Sequence, residues 1–68
     1  MDAAEKGAHY AKIFRKAGAL LAKGRIARAL AAFEEGRAFA ERLGDRVMAR
    51  RFAAEIERLQ KPDPESLP

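Results

Sequence analysis

The stretch GRIARALAAFEEGRAFAERLGD, residues 24–45, decides the fold because it contains one complete helix with a turn at each end. Its apolar and small residues recur three and four positions apart, the period of a helix that buries one face. They are Ile26, Ala29, Leu30, Phe33, Gly36, Ala40 and Leu43, with Phe39 on the flank. Gly24 and Gly44 suit the left-handed position that ends a helix. The stretch predicts a helix over about 25–43, between two others.

The flanking sequence shows the same helical period on both sides. A first helix is predicted over about 3–22, and Asp2 with Glu5 has the spacing of a capping box. Its apolar stripe consists of Tyr10, Ile13, Phe14, Ala17, Leu20 and Leu21. A third helix is predicted over 46–60 with Asp45 as its N-cap. That helix places Met48, Phe52, Ile56 and Leu59 on one face.

All three prolines lie in residues 61–68, and alternating prolines cannot continue a helix. We therefore expect one helical domain over 1–60, followed by an extended, disordered tail over 61–68. The fold class is all-α, a three-helix antiparallel bundle built on a helical hairpin.

Composition excludes several classes of protein. The chain has no cysteine, which removes disulfides and thiolate metal sites, and no apolar run approaches the thickness of a bilayer. The N-terminal residues lack the apolar core of a signal peptide, so we expect a cytoplasmic protein with no membrane contact. The scarcity of thermolabile residues favours a thermophilic source, although a high-GC genome gives much the same composition.

From Ile13 to Asp45 the chain resembles a tetratricopeptide repeat, a helix–turn–helix in which small and large apolar residues nest two antiparallel helices. Gly24 at the turn, Ala29 as the small contact residue and Phe33 as the large one carry the resemblance, with Ile26 two residues after the turn and Gly36 where the family usually has alanine. In the first helix, Ile13, Ala17 and Leu20 replace the family's tryptophan, glycine and tyrosine. The third helix then corresponds to the first helix of a following repeat, used as a cap. A generic three-helix bundle has much of the same periodicity and remains the alternative.

The resemblance implies a non-catalytic interaction module, an adaptor or scaffold. Because single repeats usually need neighbours to bury their faces, we expect a homodimer or a higher homo-oligomer, with another protein or peptide as a further partner. The residues expected to pack helices are Ile13, Phe14, Ala17, Leu20, Ile26, Ala29, Leu30, Phe33, Gly36 and Phe52.

No residue pattern predicts an enzyme, a cofactor or a metal site. His9 is the single histidine, and one weak pairing with Glu5 does not make a metal site. Glu34 and Glu41 share a helix face with arginines at salt-bridge spacing, which is typical of a solvated surface.

Basic residues support the alternative function, nucleic-acid binding. The net charge is +4, and Lys12 and Lys16 on the first helix, with Arg46 and Arg50 on the third, form a candidate basic surface. Binding that falls steeply with salt would distinguish this alternative from an apolar interaction module. A third hypothesis makes the proline-rich tail a docking segment for another protein.

Overall fold

The computed structural model describes residues 1–61, which form three α-helices and no strand. They are α1 (Ala3–Ala22), α2 (Ile26–Arg42) and α3 (Arg46–Gln60). The predicted all-α fold of three helices is confirmed. The predicted tail lies outside the described residues except for Lys61, whose backbone is extended.

Helix starts follow the predicted capping residues at α1 and α3. Asp2 Oδ1 accepts a hydrogen bond from the Glu5 backbone N–H at 2.8 Å, and Asp45 Oδ1 accepts one from the Met48 N–H at 3.2 Å. Each bond satisfies a donor that has no partner inside its helix. Helix α2 has no such cap, because Arg25 occupies its N-cap position and makes no side-chain capping bond.

Both connections are three-residue turns with a glycine in the left-handed region, at φ +73° for Gly24 and +71° for Gly44. The Arg25 N–H donates to the Leu20 carbonyl at 2.9 Å, and the Asp45 N–H donates to the Ala40 carbonyl at the same distance. These bonds close the preceding helices and reverse the chain direction. They also correct the predicted bounds of α2, which begins and ends one residue inside 25–43 because the flanking residues belong to the turns.

An aromatic cluster at the centre of the fold joins all three helices. Phe52 of α3 is fully buried, and its ring stacks on Phe14 of α1 with centroids 5.0 Å apart. Phe33 of α2 lies 5.7 Å from Phe14, and Tyr10 lies 5.7 Å from Phe52. Offset and edge-on aromatic pairs at these distances stabilise a core beyond simple area burial. The cluster sets the position of α1 relative to α3, although α2 lies in contact with both.

Helix α2 approaches α3 closely at Gly36. A Cβ atom at this position would lie 2.6 Å from two ring carbons of Phe52, closer than carbon atoms pack. Glycine therefore lets the Phe52 ring lie against the backbone of α2. Tetratricopeptide repeats usually have alanine at the corresponding position. The Phe52 ring leaves no room for the alanine methyl group here, which accounts for the glycine.

The core is small, and the burial of its apolar residues is uneven. Nine apolar residues are buried, and four of them are alanines. Two residues expected on the packed face of α2 are only partly covered, since Ile26 is 43% exposed and Leu43 is 42% exposed. Both lie at the ends of α2, where fewer neighbouring helical turns cover a side chain.

Candidate interaction surfaces

A cleft runs between α1 and α2 along one edge of the helical layer. It has a volume of about 160 Å³ and is lined by His9, Lys12, Ile13, Lys16, Ala32 and Glu35. Ile13 and Ala32 are buried and form an apolar floor, whereas the charged side chains are exposed. Within residues 1–61, none of the three charged residues Lys12, Lys16 and Glu35 forms an ion pair. The cleft can therefore hold an aliphatic group with a negatively charged neighbour.

His9 forms one end of the cleft and is held there by an aromatic contact. Its ring centroid lies 4.1 Å from that of Phe39 on α2. Tyr10 meets the same Phe39 edge-on at 5.7 Å, so the phenylalanine bridges two successive residues of α1. Among residues 1–61, no group of three or more histidine and carboxylate side chains is arranged to hold a metal ion.

Exposed apolar side chains form a second surface at the turn before α3, where Leu43 and Val47 lie, and Ile26 is exposed separately at the other end of α2, about 25 Å away by helix rise. Val47 is 67% exposed, and Ile26 and Leu43 are each more than two-fifths exposed. Scattered single apolar side chains are ordinary on protein surfaces. Here they occur on a chain whose buried core consists of nine apolar residues, so their exposure is large relative to the core.

The predicted basic surface divides into two parts. Lys12 and Lys16 come together in the α1–α2 cleft, whereas Arg46 and Arg50 are exposed on α3 and do not line it. A neighbouring arginine, Arg51, lies over the Phe14 ring with its guanidinium carbon 4.9 Å from the centroid. This cation–π contact places Arg51 against the aromatic cluster instead of on an outward basic face.

The predicted packing residues fall into three groups by burial. Six are buried, three are half-buried and one, Ile26, is exposed. The buried residues are Ile13, Ala17, Ala29, Phe33, Gly36 and Phe52, and the half-buried ones are Phe14, Leu20 and Leu30.

A polar cluster that sequence reasoning missed links α1 to the turn before α3. The Tyr10 hydroxyl donates to Asp45 Oδ2 at 3.0 Å, and Lys6 Nζ lies 3.2 Å from the same oxygen. Burial and the hydrogen bond to Asp45 raise the pKa of Tyr10 to about 12, and the Met48 N–H and Lys6 lower the pKa of Asp45. The one available signal was Tyr10 in an apolar stripe, since a buried tyrosine hydroxyl needs a partner.

The cluster is structural in its chemistry. Asp45 Oδ1 accepts a hydrogen bond from the Met48 N–H, and Oδ2 accepts one from the Tyr10 hydroxyl and forms an ion pair with Lys6. Tyr10 itself is only 6% exposed. A carboxylate occupied in this way is not free to act as a base toward a ligand. The cluster therefore joins helices.

None of the helices in residues 1–61 combines the length and the apolar composition needed to cross a bilayer. Comparison of the chain with protein-family models, with curated proteins and with solved structures found no match.

Proposed function

We propose that the protein is a small non-catalytic helical interaction module, an adaptor or scaffold that acts through protein–protein contacts and self-association. The observation that carries this proposal is the exposure of the large apolar side chains of Val47 and Leu43 beside a core of nine buried apolar residues. Burying such side chains against a partner gains about 25 cal/mol per Å² of apolar surface. A cytoplasmic location, expected from the sequence, is part of the proposal.

The tetratricopeptide-like character of the hairpin is also part of this proposal. Two antiparallel helices nest through small residues, with Ala29 and Gly36 buried and Phe33 beside them, and these are the positions that carry the resemblance. Helix α3 packs on α2 as the first helix of a following repeat would. A single unit of this kind leaves its outer faces uncovered, and repeat units gain stability from neighbours. A second copy is the simplest neighbour.

Substitutions in the apolar surface provide the test. Val47→Glu and Leu43→Glu should each shift the full chain toward monomer, as measured by light scattering during size-exclusion chromatography, because a charge would be buried at the contact. Ala19→Glu and Ala54→Glu are matched controls at exposed positions outside the patch and should leave the mass unchanged. An unchanged mass in the Val47 and Leu43 variants would contradict a contact through this surface.

Nucleic-acid binding is the second candidate function, favoured by the exposed basic residues Lys12, Lys16, Arg46 and Arg50. None of these four forms an ion pair among residues 1–61. A gel-shift titration with a short duplex at two salt concentrations tests this function. Affinity that falls steeply with salt supports it, because phosphate contacts release counterions, and no binding at low salt rejects it.

A further inference from the structure

Charge is distributed unevenly along the chain. Residues 1–61 contain all fourteen lysines and arginines and eight of the ten aspartates and glutamates, an excess of six positive charges. Residues 62–68, with the sequence PDPESLP, contribute Asp63 and Glu65 and no basic side chain. The helical part is therefore electrostatically complementary to the segment that follows it.

The α1–α2 cleft is the place in the helical part that best suits such a segment. Lys12 and Lys16 outnumber Glu35 by one positive charge, and the floor of Ile13 and Ala32 is apolar. At about 160 Å³ the cleft is smaller than the sites that hold cofactors, which occupy roughly 300 Å³ or more, but it accommodates one aliphatic side chain. Glu35 in the wall disfavours a polyanion such as a phosphodiester chain, whereas a single carboxylate is compatible with it.

The segment 62–68 contains this combination. Glu65 is two residues before Leu67 in the sequence, so the segment offers a carboxylate and an aliphatic side chain close together along the chain, and Asp63 adds a second carboxylate. We propose that the acidic segment 62–68 of a second copy of this chain docks in the α1–α2 cleft, with its carboxylates on Lys12 and Lys16 and Leu67 on the apolar floor.

Geometry favours a second copy over the same chain. Tyr10 contacts Asp45 and Phe14 contacts Phe52, so α1 and α3 run in the same direction and their last residues, Ala22 and Gln60, lie toward the same end of the fold. The cleft lies on the α1–α2 edge, no α3 residue lines it, and α3 packs against Phe14 on the other side of α1. Segment 62–68 follows α3, and no α3 residue lines the cleft, so the segment of the same chain would have to pass around another helix to reach Lys12 and Lys16. The segment of a second copy can approach the open cleft directly.

Reciprocal docking between two copies would close a two-fold dimer. This inference rests on the proposed self-association and adds a second contact, in the cleft, to the one proposed around Val47. It also assigns the occupant of the cleft, which the exposed apolar surface around Val47 does not.

Charge reversal with rescue tests the assignment in the full chain. Lys12→Glu with Lys16→Glu should weaken self-association by about tenfold or more at physiological salt, because two attractive contacts become repulsive. Adding Asp63→Lys and Glu65→Lys to the same chain should restore association to within about threefold of wild type. Sedimentation velocity measures the association, and circular dichroism verifies that each variant is helical.

Matched variants control for charge and for the apolar contact. Arg15→Glu with Arg58→Glu changes the net charge by the same amount at exposed positions that belong neither to the cleft nor to the apolar surface around Val47, and should leave association unchanged. Leu67→Ala should weaken association while keeping every charge, because it removes the group assigned to the cleft floor.

The outcomes separate this inference from the proposed function. A wild-type chain that is monomeric at every concentration overturns both. A chain that self-associates equally well with and without Lys12→Glu and Lys16→Glu overturns the cleft assignment and leaves the proposed function in place. Asp63→Lys with Glu65→Lys in an otherwise wild-type chain should also dissociate. If it does not, although the chain with Lys12→Glu and Lys16→Glu does, the occupant of the cleft is another acidic surface and the assignment of segment 62–68 is wrong.

Discussion

The two turns of the molecule have the same backbone conformation and differ in the residue that ends each turn. In both, a glycine with φ near +70° closes the preceding helix, and the following N–H donates to a carbonyl five residues earlier at 2.9 Å. Arg25 ends the first turn without a side-chain capping bond, whereas Asp45 ends the second and caps α3. The same carboxylate also bonds Tyr10 and Lys6 of α1.

This difference shows how one side chain can tie distant parts of a small fold together. The first turn connects only the helices adjacent to it. Asp45 connects the start of α3 to α1, thirty-five residues away from Tyr10 in the sequence, so the second turn also orients the third helix relative to the first. Long-range polar contacts of this kind specify one arrangement among several that an alanine-rich core would tolerate.

Asp45→Ala should have the largest effect, because it removes the cap of α3 and leaves the buried Tyr10 hydroxyl without its acceptor. We expect the melting temperature to fall by roughly 10 °C at a fixed protein concentration, followed by circular dichroism. The matched change at the first turn, Arg25→Ala, should lower it by no more than about 2 °C. Equal effects from the two variants would mean that the turns do not differ in the way described.

Gly36→Ala should have the next largest effect, because the added Cβ would lie 2.6 Å from the fully buried ring of Phe52. Crowding should outweigh the gain in helix propensity and lower the free energy of unfolding by about 1–2 kcal/mol. Gly18→Ala in α1 is the matched control, since a Cβ there meets nothing within 4 Å. It should raise the free energy of unfolding by about 0.5–1 kcal/mol in urea denaturation, and stabilisation by Gly36→Ala as well would contradict the close approach.

Titration of Tyr10 tests the link between the second turn and α1. The chain has one tyrosine and no tryptophan, so absorbance of the phenolate reports this residue alone. We expect a pKa of about 12, with a lower pKa in Asp45→Asn, because the hydrogen bond and the nearby negative charge are lost while burial remains. Since the folded pKa lies above the ordinary tyrosine value of 10.0, Tyr10 stabilises the fold below pH 10, and that contribution is lost as the pH rises toward 12. An ordinary pKa in the folded wild type would contradict the contact.

Arg25→Asp should have the smallest effect and the opposite sign. It gives α2 the cap that Asp45 gives α3, in a turn with the same hydrogen bonds. We expect the free energy of unfolding to rise by about 0.5–1 kcal/mol in urea denaturation. Arg25→Asn provides a cap without the negative charge. If only Arg25→Asp raised the free energy of unfolding, the effect would come from charge instead of capping.

Local patterns predicted the helices and their turns, because helical periodicity, capping residues and single glycines depend on neighbours in the sequence. The burial of Ala29, Phe33 and Phe52 followed from the same periodicity. The exposure of Ile26 was missed because an apolar stripe in the sequence does not show which parts of a helix are covered by other helices. The bond between Tyr10 and Asp45 was missed because it depends on how helices distant in sequence pack.

The candidate surfaces were predictable only in part. Lys12 and Lys16 share a helix face at a spacing of four residues, so their proximity was visible in the sequence. The cleft itself requires Ala32 and Glu35 from α2, and the pairing of helix faces depends on the tertiary packing. The division between these lysines and the arginines of α3 followed from the structure for the same reason.

Sedimentation equilibrium of the full chain tests self-association, the central claim, most directly. Across protein concentrations from about 5 to 200 µM, mass action predicts that the average mass rises toward at least twice 7.5 kDa. A mass that stays at 7.5 kDa throughout this range would contradict the claim that the helical hairpin functions by binding a second copy of itself.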